Sequence, residues 1–364
     1  MNHKRFNAPL AVLSIGVLAL TGCAANESGG AANPAGAPGG SSLSGTLNGI
    51  GSSAQGTAQT VWAAGFQTAN PGVTVNYDPQ GSGAGRKSFI SGAAVFAGSD
   101  AALKAEELTQ TFAGCAADSS ALDLPVYISP IAIAYHVEGV NDLKLDAPTV
   151  AGIFKGTITR WNDPAITGQN PGATLPDAAI TVVHRSDDSG TTQNFTEYLS
   201  ANAKQVWDAP ASQTYPYKVG DAAKGTSGVA DATRNGSNTI TYIDESGATG
   251  LSLAQLKVGD AYVSLSPEGA AAVVAASPLV DGRESNDLAV AIDRTGTKGW
   301  PLVLVSYLIT CTDYKDDATA ELVKAYAGYV ASDEGQAAAA KQAGSAPLAP
   351  ELAEKVRTAI DSIK

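Results

Sequence analysis

Three short segments rich in glycine, serine and threonine constrain the fold most, because each leads into the N-terminus of a predicted helix. They are residues 51–54 (GSSA), 81–85 (GSGAG) and 185–192 (RSDDSGTT). At a helix N-terminus, unpaired N–H groups and the positive end of the helix dipole face outward. Glycine allows close backbone approach, and the guanidinium of Arg185 can donate two parallel hydrogen bonds to an oxyanion. Together the segments predict one anion site.

Each segment taken alone has a plainer interpretation, because glycine and serine are the ordinary residues of turns and helix caps. The segments contain neither G-x-x-x-x-G-K-S/T nor G-x-G-x-x-G, so a nucleotide-binding fold is not supported. The predicted anion site therefore depends on all of the segments meeting in space.

Strand-like and helix-like stretches alternate along the chain, which predicts an α/β fold in layers. β-Branched and aromatic residues predict strands, and apolar residues at helical spacing predict helices. The strands are expected at 73–77, 127–128 with 131–135, 180–183, 239–243 and 302–305. The helices are expected at 55–68, directly after Ser189, at 318–331 and at 350–363. No internal repeat of fixed period is present.

The N-terminus has a basic start, an apolar run over residues 8–20 and small residues before Cys23. This pattern predicts a secretory signal peptide over residues 1–22 and an exported protein. Leu20-Thr21-Gly22-Cys23 resembles the lipobox of bacterial lipoproteins, in which the cysteine is acylated, commonly with palmitate, and becomes the new N-terminus. Two or more acyl chains give stable anchoring to the outer face of the cell membrane. The alternative is an ordinary signal peptide with an incidental cysteine.

Residues 23–44 are predicted to form a flexible tether, because they consist almost wholly of small and polar residues. A chain of about 20 such residues spans on the order of 25 Å.

The two cysteines after Cys23 are Cys115 and Cys311. In an exported protein they are expected to form a disulfide, the alternative being two buried thiols.

Charge and histidine content exclude several kinds of function. The chain has 23 Lys and Arg against 35 Asp and Glu, which argues against nucleic-acid binding. No apolar run reaches the roughly 18 residues of a membrane span. His3, His136 and His184 are the only histidines, and no cluster has metal-ligand spacing, so no metal or cofactor is expected. An exported phosphatase using Ser189 and His184 remains an alternative, although His184 is expected to be a packed or rim residue.

Five segments carry a family resemblance: Gly51-Ser52-Ser53, residues 81–85, Gly98-Ser99-Asp100-Ala101, residues 185–191 and residues 154–164 (FKGTITRWNDP). With these segments in this order, the sequence resembles the PstS family, the phosphate-binding lipoproteins of bacterial high-affinity phosphate ABC transporters. The resemblance implies the two-lobed α/β fold of type II periplasmic binding proteins, with the ligand cleft between the lobes. One lobe is expected at 45–130 with 300–364 and the other at 131–299, joined by hinge crossovers at 124–135 and 300–306.

The resemblance also implies the phosphate-binding residues, and no catalytic ones. The first lobe would supply Ser53, the Ala54 amide, Ser82 and Asp100, and the second Arg185, Ser189, Gly190 and Thr191. Asp187 would support Arg185. The chain departs from the family at Ala54, where many relatives carry Phe, and at Asp188, which replaces a usual Gly and is expected to face solvent. Arg86 and Lys87 are expected to be solvated helix residues.

The implied function is the capture of hydrogenphosphate or dihydrogenphosphate outside the cytoplasm and its delivery, by lobe closure, to an ABC permease. That permease would comprise two membrane subunits and ATP-binding subunits. An ionised Asp100 can accept a hydrogen bond from the P–OH group, which sulfate lacks.

Alternatives are a receptor of the same fold for sulfate, molybdate or a phosphonate, and a surface adhesin or structural lipoprotein. Asp100 could instead cap a helix before residues 101–103, and Arg185 could form only a surface ion pair with Asp187.

Overall fold

The computed structural model of the protein describes residues 43–364. The predicted signal peptide, the predicted acylation site Cys23 and nearly all of the predicted tether at 23–44 lie outside the described residues. Among residues 43–364, no helix combines the length and the apolar character that crossing a membrane requires.

Twelve strands and eleven α-helices form within residues 43–364, with a short 3-10 helix at Glu245–Gly247. The strands are β1 (Gly45–Gly51), β2 (Val73–Asp78), β3 (Phe96–Ser99), β4 (Ala121–His136), β5 (Lys144–Leu145), β6 (Thr181–Arg185), β7 (Asp221–Ala223), β8 (Thr239–Asp244), β9 (Ser252–Leu253), β10 (Gln255–Val258), β11 (Ala261–Val263) and β12 (Val303–Cys311). The helices are α1 (Gly56–Ala69), α2 (Ser82–Ile90), α3 (Ala105–Leu108), α4 (Ala147–Lys155), α5 (Pro164–Thr167), α6 (Gly190–Asn202), α7 (Gly225–Asn235), α8 (Pro267–Ala276), α9 (Asp317–Val330), α10 (Asp333–Ala343) and α11 (Pro350–Asp361).

Nine of the strands form one mixed sheet in the order β2-β1-β3-β12-β4-β8-β6-β7, with β9 paired to β4. We call β2, β1 and β3 with α1, α2 and α3 the first half, and β8, β6 and β7 with α6 and α7 the second half. Strands are parallel within each half, whereas β12 and β4 pair antiparallel to their neighbours in the sheet. A separate three-stranded sheet has the order β11-β10-β5.

Strand β4 joins the two halves of the sheet. Its first part pairs with β12 as far as the pair Pro130 and Val303, and from Ile131 onward it pairs with β8. Fifteen of its sixteen residues are buried, the exception being His136. A strand covered on both faces needs apolar residues throughout, which explains why this stretch of the sequence reads as an almost continuous apolar run.

Every strand and helix predicted from the sequence is present, although β4 and β12 are longer than expected. Strand β1 was not predicted, because its residues GTLNGIG include few of the β-branched and aromatic residues that favour strands. Residues 82–85 belong to the first turn of α2 rather than to a loop, and only Gly81, with a φ of 105°, precedes the helix. Helix α2 therefore begins closer to the end of β2 than the sequence predicts.

The predicted disulfide is confirmed. Cys115 and Cys311 are bonded, with their Cα atoms 5.5 Å apart, and both residues are buried. Cys311 ends β12, so the bond ties the end of this central strand to the segment between α3 and β4. The bond closes a loop of 196 residues, which restricts the unfolded chain strongly.

Replacing both cysteines, as Cys115→Ser with Cys311→Ser, should lower the free energy of unfolding by about 2–5 kcal/mol, because the unfolded chain regains the freedom that the cross-link removes. Denaturant titration followed by tryptophan fluorescence measures the change. A reductant should destabilise the natural sequence and leave the double variant unaffected. Equal sensitivity of the two proteins to reductant would contradict the prediction.

Candidate functional site

The carboxylate of Asp100 lies at the centre of the candidate site, directly after β3. The residue is 3% exposed. Its Oδ1 accepts a hydrogen bond from the Ser306 hydroxyl at 2.8 Å, and its Oδ2 accepts one from the Thr191 hydroxyl at 3.3 Å. The Ser52 hydroxyl lies near the carboxylate and favours its charged form. The carboxylate therefore meets groups from the first half, from the second half and from the central strand β12.

Burial raises the pKa of Asp100 above its ordinary value, because the interior disfavours a charged carboxylate. The hydrogen bonds from Ser52 and Ser306, the positive charge of Arg185 and the hydrogen bond from Thr191 act in the opposite direction and favour the ionised form. Burial and these contacts therefore act in opposite directions on the Asp100 carboxyl group, and burial has the larger effect.

The backbone of Asp100 is held from both halves of the sheet. Its N–H donates to the Ser82 hydroxyl at 3.1 Å, and its carbonyl accepts a hydrogen bond from the Asn194 side chain at 2.7 Å. A Cβ atom at Gly190 would lie 2.6 Å from both the Asp100 Cβ and the Ser82 Oγ. The close contact between the halves at this point therefore requires glycine at position 190.

Arg185 ends β6 and is 4% exposed. Its Nε and Nη2 donate to the two carboxylate oxygens of Asp187 at 2.8 Å and 2.5 Å, and Asp187 also accepts a hydrogen bond from the Gly225 N–H. Burial acts to raise the pKa of Asp187, but the hydrogen bond and charge of Arg185 outweigh it and hold this pKa below its ordinary value. Within the described residues no protein acceptor bonds to Nη1 of Arg185, so this donor remains for a ligand.

The N-terminus of α6 supplies further donors beside Arg185. Ser189 is the N-cap, and its Oγ accepts the Thr192 N–H at 3.1 Å, so its own hydroxyl proton remains to be donated. Gly190 and Thr191 occupy the first turn, where N–H groups have no partner within the helix. These groups form a surface of hydrogen-bond donors beside Asp100.

Ser53 and Ala54 lie at the start of α1, at the edge of this surface. The Ser53 Oγ accepts the Thr226 N–H at 3.0 Å and lies 3.0 Å from the Thr226 hydroxyl. The Ala54 N–H donates to the Ser52 Oγ at 3.1 Å. The structure therefore brings all of the predicted site residues to one region, with the Ala54 amide already bonded to a neighbouring hydroxyl.

Three residues at the site lie outside the segments that predict it from the sequence: Asn194, Thr226 and Ser306. Ser52 lies in the predicted segment 51–54 but was not among the predicted ligands. Ser306 is the single serine or threonine in the apolar run LVLVSYLI, which is a signal that could have identified it. Thr226 lies in the first turn of α7, so a fourth helix N-terminus points toward the site. Asn194 carries no comparable signal, because it is one of several polar residues on α6.

One expectation about charged residues needs correction. Arg86 is 2% exposed and pairs with Glu107 at 2.9 Å, because its side chain turns inward between α2 and α3. The Asp188 side chain is 42% exposed and so faces solvent, as expected. It pairs with Lys87 at 3.1 Å and accepts a hydrogen bond from Thr214, and this bond, together with the one from Lys87, holds its pKa below the ordinary value. Lys87 is exposed, as expected.

Asp100 does not cap a helix, since α3 begins at Ala105 with Lys104 as its N-cap.

His184 is a packed residue, as expected: its ring stacks on Tyr215 with centroids 3.9 Å apart, and its Nδ1 faces the Arg185 carbonyl. Across residues 43–364, no hydrogen bond joins it to Ser189. The same residues contain no cluster of His, Cys, Asp and Glu suited to a metal ion.

Comparisons with known proteins agree with this geometry. A family model described as a PBP superfamily domain matches residues 36–334. The phosphate-binding protein PstS 3 of Mycobacterium tuberculosis is 35% identical over 377 residues, covering 100% of both chains. The phosphate-binding protein PstS 3 of Mycobacterium leprae is 36% identical over 338 residues, covering 90% of each. A solved structure of the high affinity periplasmic phosphate-binding protein PfluDING, bound with phosphate, has a TM-score of 0.71 at 24% identity, covering 86% of this chain and 93% of its own.

Ser306→Ala should raise the pKa of Asp100 further, by about 1 to 2 pH units, because it removes a hydrogen bond to the charged form worth roughly 1.5–3 kcal/mol. The pKa can be followed through the carboxyl carbon signal of labelled aspartate in NMR spectra. Thr310→Val is the matched control, since Thr310 is buried on the same strand and its hydroxyl has no hydrogen-bond partner. Identical titration curves for Asp100 in the two variants would contradict the assigned contact.

Proposed function

Since this chain belongs to the PstS family of phosphate-binding proteins, we propose that it captures inorganic phosphate outside the cytoplasm and delivers it to a membrane ABC permease. The fold class predicted from the sequence, the two-lobed α/β fold of type II periplasmic binding proteins, is confirmed by the same comparisons. The observation that carries the proposal is the buried Asp100 carboxylate facing Arg185 and the N-terminus of α6.

The donors of the site suit the oxygens of phosphate. Arg185 offers Nη1, Ser82 and Ser189 offer hydroxyl protons, and Gly190 and Thr191 offer backbone N–H groups at a helix N-terminus. Such groups bind oxyanions through charge-assisted hydrogen bonds and through the helix dipole. The proposed phosphate-binding set is the one expected from the sequence: Ser53, Ala54, Ser82, Asp100, Arg185, Ser189, Gly190 and Thr191, with Asp187 supporting Arg185.

Asp100 gives the site a means to distinguish phosphate from other oxyanions. Hydrogenphosphate and dihydrogenphosphate can donate a P–OH proton to an ionised carboxylate, whereas fully ionised sulfate and molybdate cannot. A deprotonated oxyanion would instead bring its charge against a buried acceptor with no proton between them, which disfavours it strongly. A receptor for sulfate or molybdate is therefore the weaker candidate.

The transport role follows from closure of the site. Donors from the first half and from the second half reach the anion together only when the halves touch, so the ligand favours the closed arrangement. We assign the lobes to 45–130 with 300–364 and to 131–299, with the hinge in β4 and β12. The partners would be two permease subunits and ATP-binding subunits, and acylated Cys23 would anchor the protein to the outer face of the membrane.

Calorimetric titration tests the proposal. The oxidised chain without residues 1–22, stripped of ligand, is titrated with phosphate and in parallel with sulfate at pH 7. Phosphate is expected to bind tightly with one-to-one stoichiometry, and the titration with sulfate is expected to release no binding heat. Sulfate binding would indicate a receptor for another anion, and silence with both ligands would leave the glycine-rich segments as ordinary helix caps.

Asp100→Asn should weaken phosphate binding by about 10-fold to 150-fold, because it removes a hydrogen-bond acceptor that is charged. The same variant should begin to bind sulfate, since an uncharged amide no longer repels it. Asp188→Asn is the control: it makes the same chemical change in an adjoining loop, at a carboxylate that faces Lys87 and Thr214. Phosphate selectivity that is unchanged in Asp100→Asn would refute the role of this carboxylate.

A further inference from the structure

A single buried guanidinium connects the two halves of the protein without belonging to the phosphate-binding set. Arg86 lies in α2, one turn after Ser82, and is 2% exposed. Its Nε donates to Glu107 of α3 at 2.9 Å and its Nη1 donates to the Ser99 hydroxyl at 3.2 Å. Its Nη2 donates to the Gln213 side chain at 3.0 Å. The first two partners lie in or beside the first half, whereas Gln213 follows α6 in the second half.

On the first-half side, Arg86 supports the segment that carries Asp100. Ser99 ends β3 and directly precedes Asp100, and its hydroxyl donates to the Ala101 carbonyl at 2.6 Å. The Ser99 hydroxyl thus accepts a hydrogen bond from Arg86 and donates one to the carbonyl of Ala101, the residue after Asp100. A shift of the guanidinium would therefore move the Ser99 to Ala101 turn.

On the second-half side, Gln213 supports the segment that carries Ser189. Its backbone carbonyl accepts the Ser189 N–H at 3.0 Å. Its side-chain Oε1 also lies close to α2, because a Cβ atom at Gly83 would come within 3.2 Å of it. Gln213 therefore contacts the first half with its side chain and fixes an anion-binding segment of the second half with its backbone.

We propose that Arg86 and Gln213 are a pair of positioning residues that stabilise the closed arrangement and thereby set the lifetime of bound phosphate. This inference rests on the proposed function. The hydrogen bond between them exists only while the halves touch, so its loss weakens the closed form and leaves the open form unchanged. Neither residue needs to contact the anion, and the effect falls on dissociation rather than on association.

A neighbouring ion pair between the halves contributes less. Lys87 and Asp188 are 3.1 Å apart, but their side chains are 73% and 42% exposed. Exposed ion pairs contribute little to stability because water and salt screen them. The Arg86 to Gln213 hydrogen bond has a charged, buried donor and is therefore the stronger link across the cleft.

The test changes Gln213 rather than Arg86. The side chain of Glu107 is only 13% exposed, so removing Arg86 would leave a largely buried carboxylate without its ion-pair partner and would disturb folding. Gln213→Met keeps the size of the side chain and removes the acceptor for Arg86. The Gln213 Nε2 is buried and has no hydrogen-bond partner, so no other side-chain hydrogen bond is lost. Gln193→Met is the matched control, since Gln193 donates to Glu197 within α6 at 2.9 Å and makes no hydrogen bond to the first half.

Stopped-flow measurement of phosphate release should show dissociation from Gln213→Met about 10-fold faster than from the natural sequence, with association within about 2-fold. Gln193→Met should release phosphate at the natural rate. The melting temperature of the ligand-free protein should be the same for all three proteins, whereas the rise caused by phosphate should be smaller for Gln213→Met.

Two results would overturn the inference while the proposed function stands. One is phosphate release from Gln213→Met at the natural rate. The other is an equal loss of ligand-free stability and of affinity, which would make Gln213 a structural residue only. If the natural sequence shows no phosphate binding at all, the proposed function fails, and this inference fails with it.

Discussion

The burial of the Asp100 carboxylate is the constraint on which the arrangement of the site depends. A buried carboxylate is tolerated only when hydrogen bonds and nearby positive charge compensate for the water that it loses. Here Ser306 comes from the central strand β12 and Thr191 from the second half, so no single half of the protein satisfies Asp100 alone. The selectivity that we propose for the site and the contact between its halves therefore share one physical cause.

The central strands bring these groups together. The register of β12 against β4 shifts between Ser306 and Tyr307, and Tyr307 lies opposite Pro125. Proline has no N–H to donate and is found at such irregularities, and a bulge re-aims the side chain beside it. Pro130 stands where β4 leaves β12 and begins to pair with β8. Pro125 thus marks the bulge, whose extra residue lies in β4 between Pro125 and Tyr127, and Pro130 marks the passage from one half to the other.

The sequence was sufficient for the parts of the site that depend on local structure. Helix N-termini after glycine and serine are local features, and Arg185, Asp187 and Ser189 lie within a few residues of one another. Arg86 could not be interpreted correctly from its surroundings, because Gln213, one of the partners around its buried side chain, lies 127 residues away along the chain. Thr226 was missed for the same reason. Contacts between segments separated by more than a hundred residues are decided by the sheet order, which local patterns do not contain.

The charges at the site explain how an acidic protein can bind an anion. Arg185 is already paired with Asp187, and Asp100 adds a negative charge, so the ionised side chains of the site carry no net positive charge. Attraction must then come from oriented dipoles, namely the N–H groups at the start of α6 and the hydroxyls of Ser82 and Ser189. Such dipoles are already in place when the halves close and do not need to reorganise around the ligand. A site of this kind favours an anion that carries a proton of its own, because only such an anion can satisfy both the donors and Asp100.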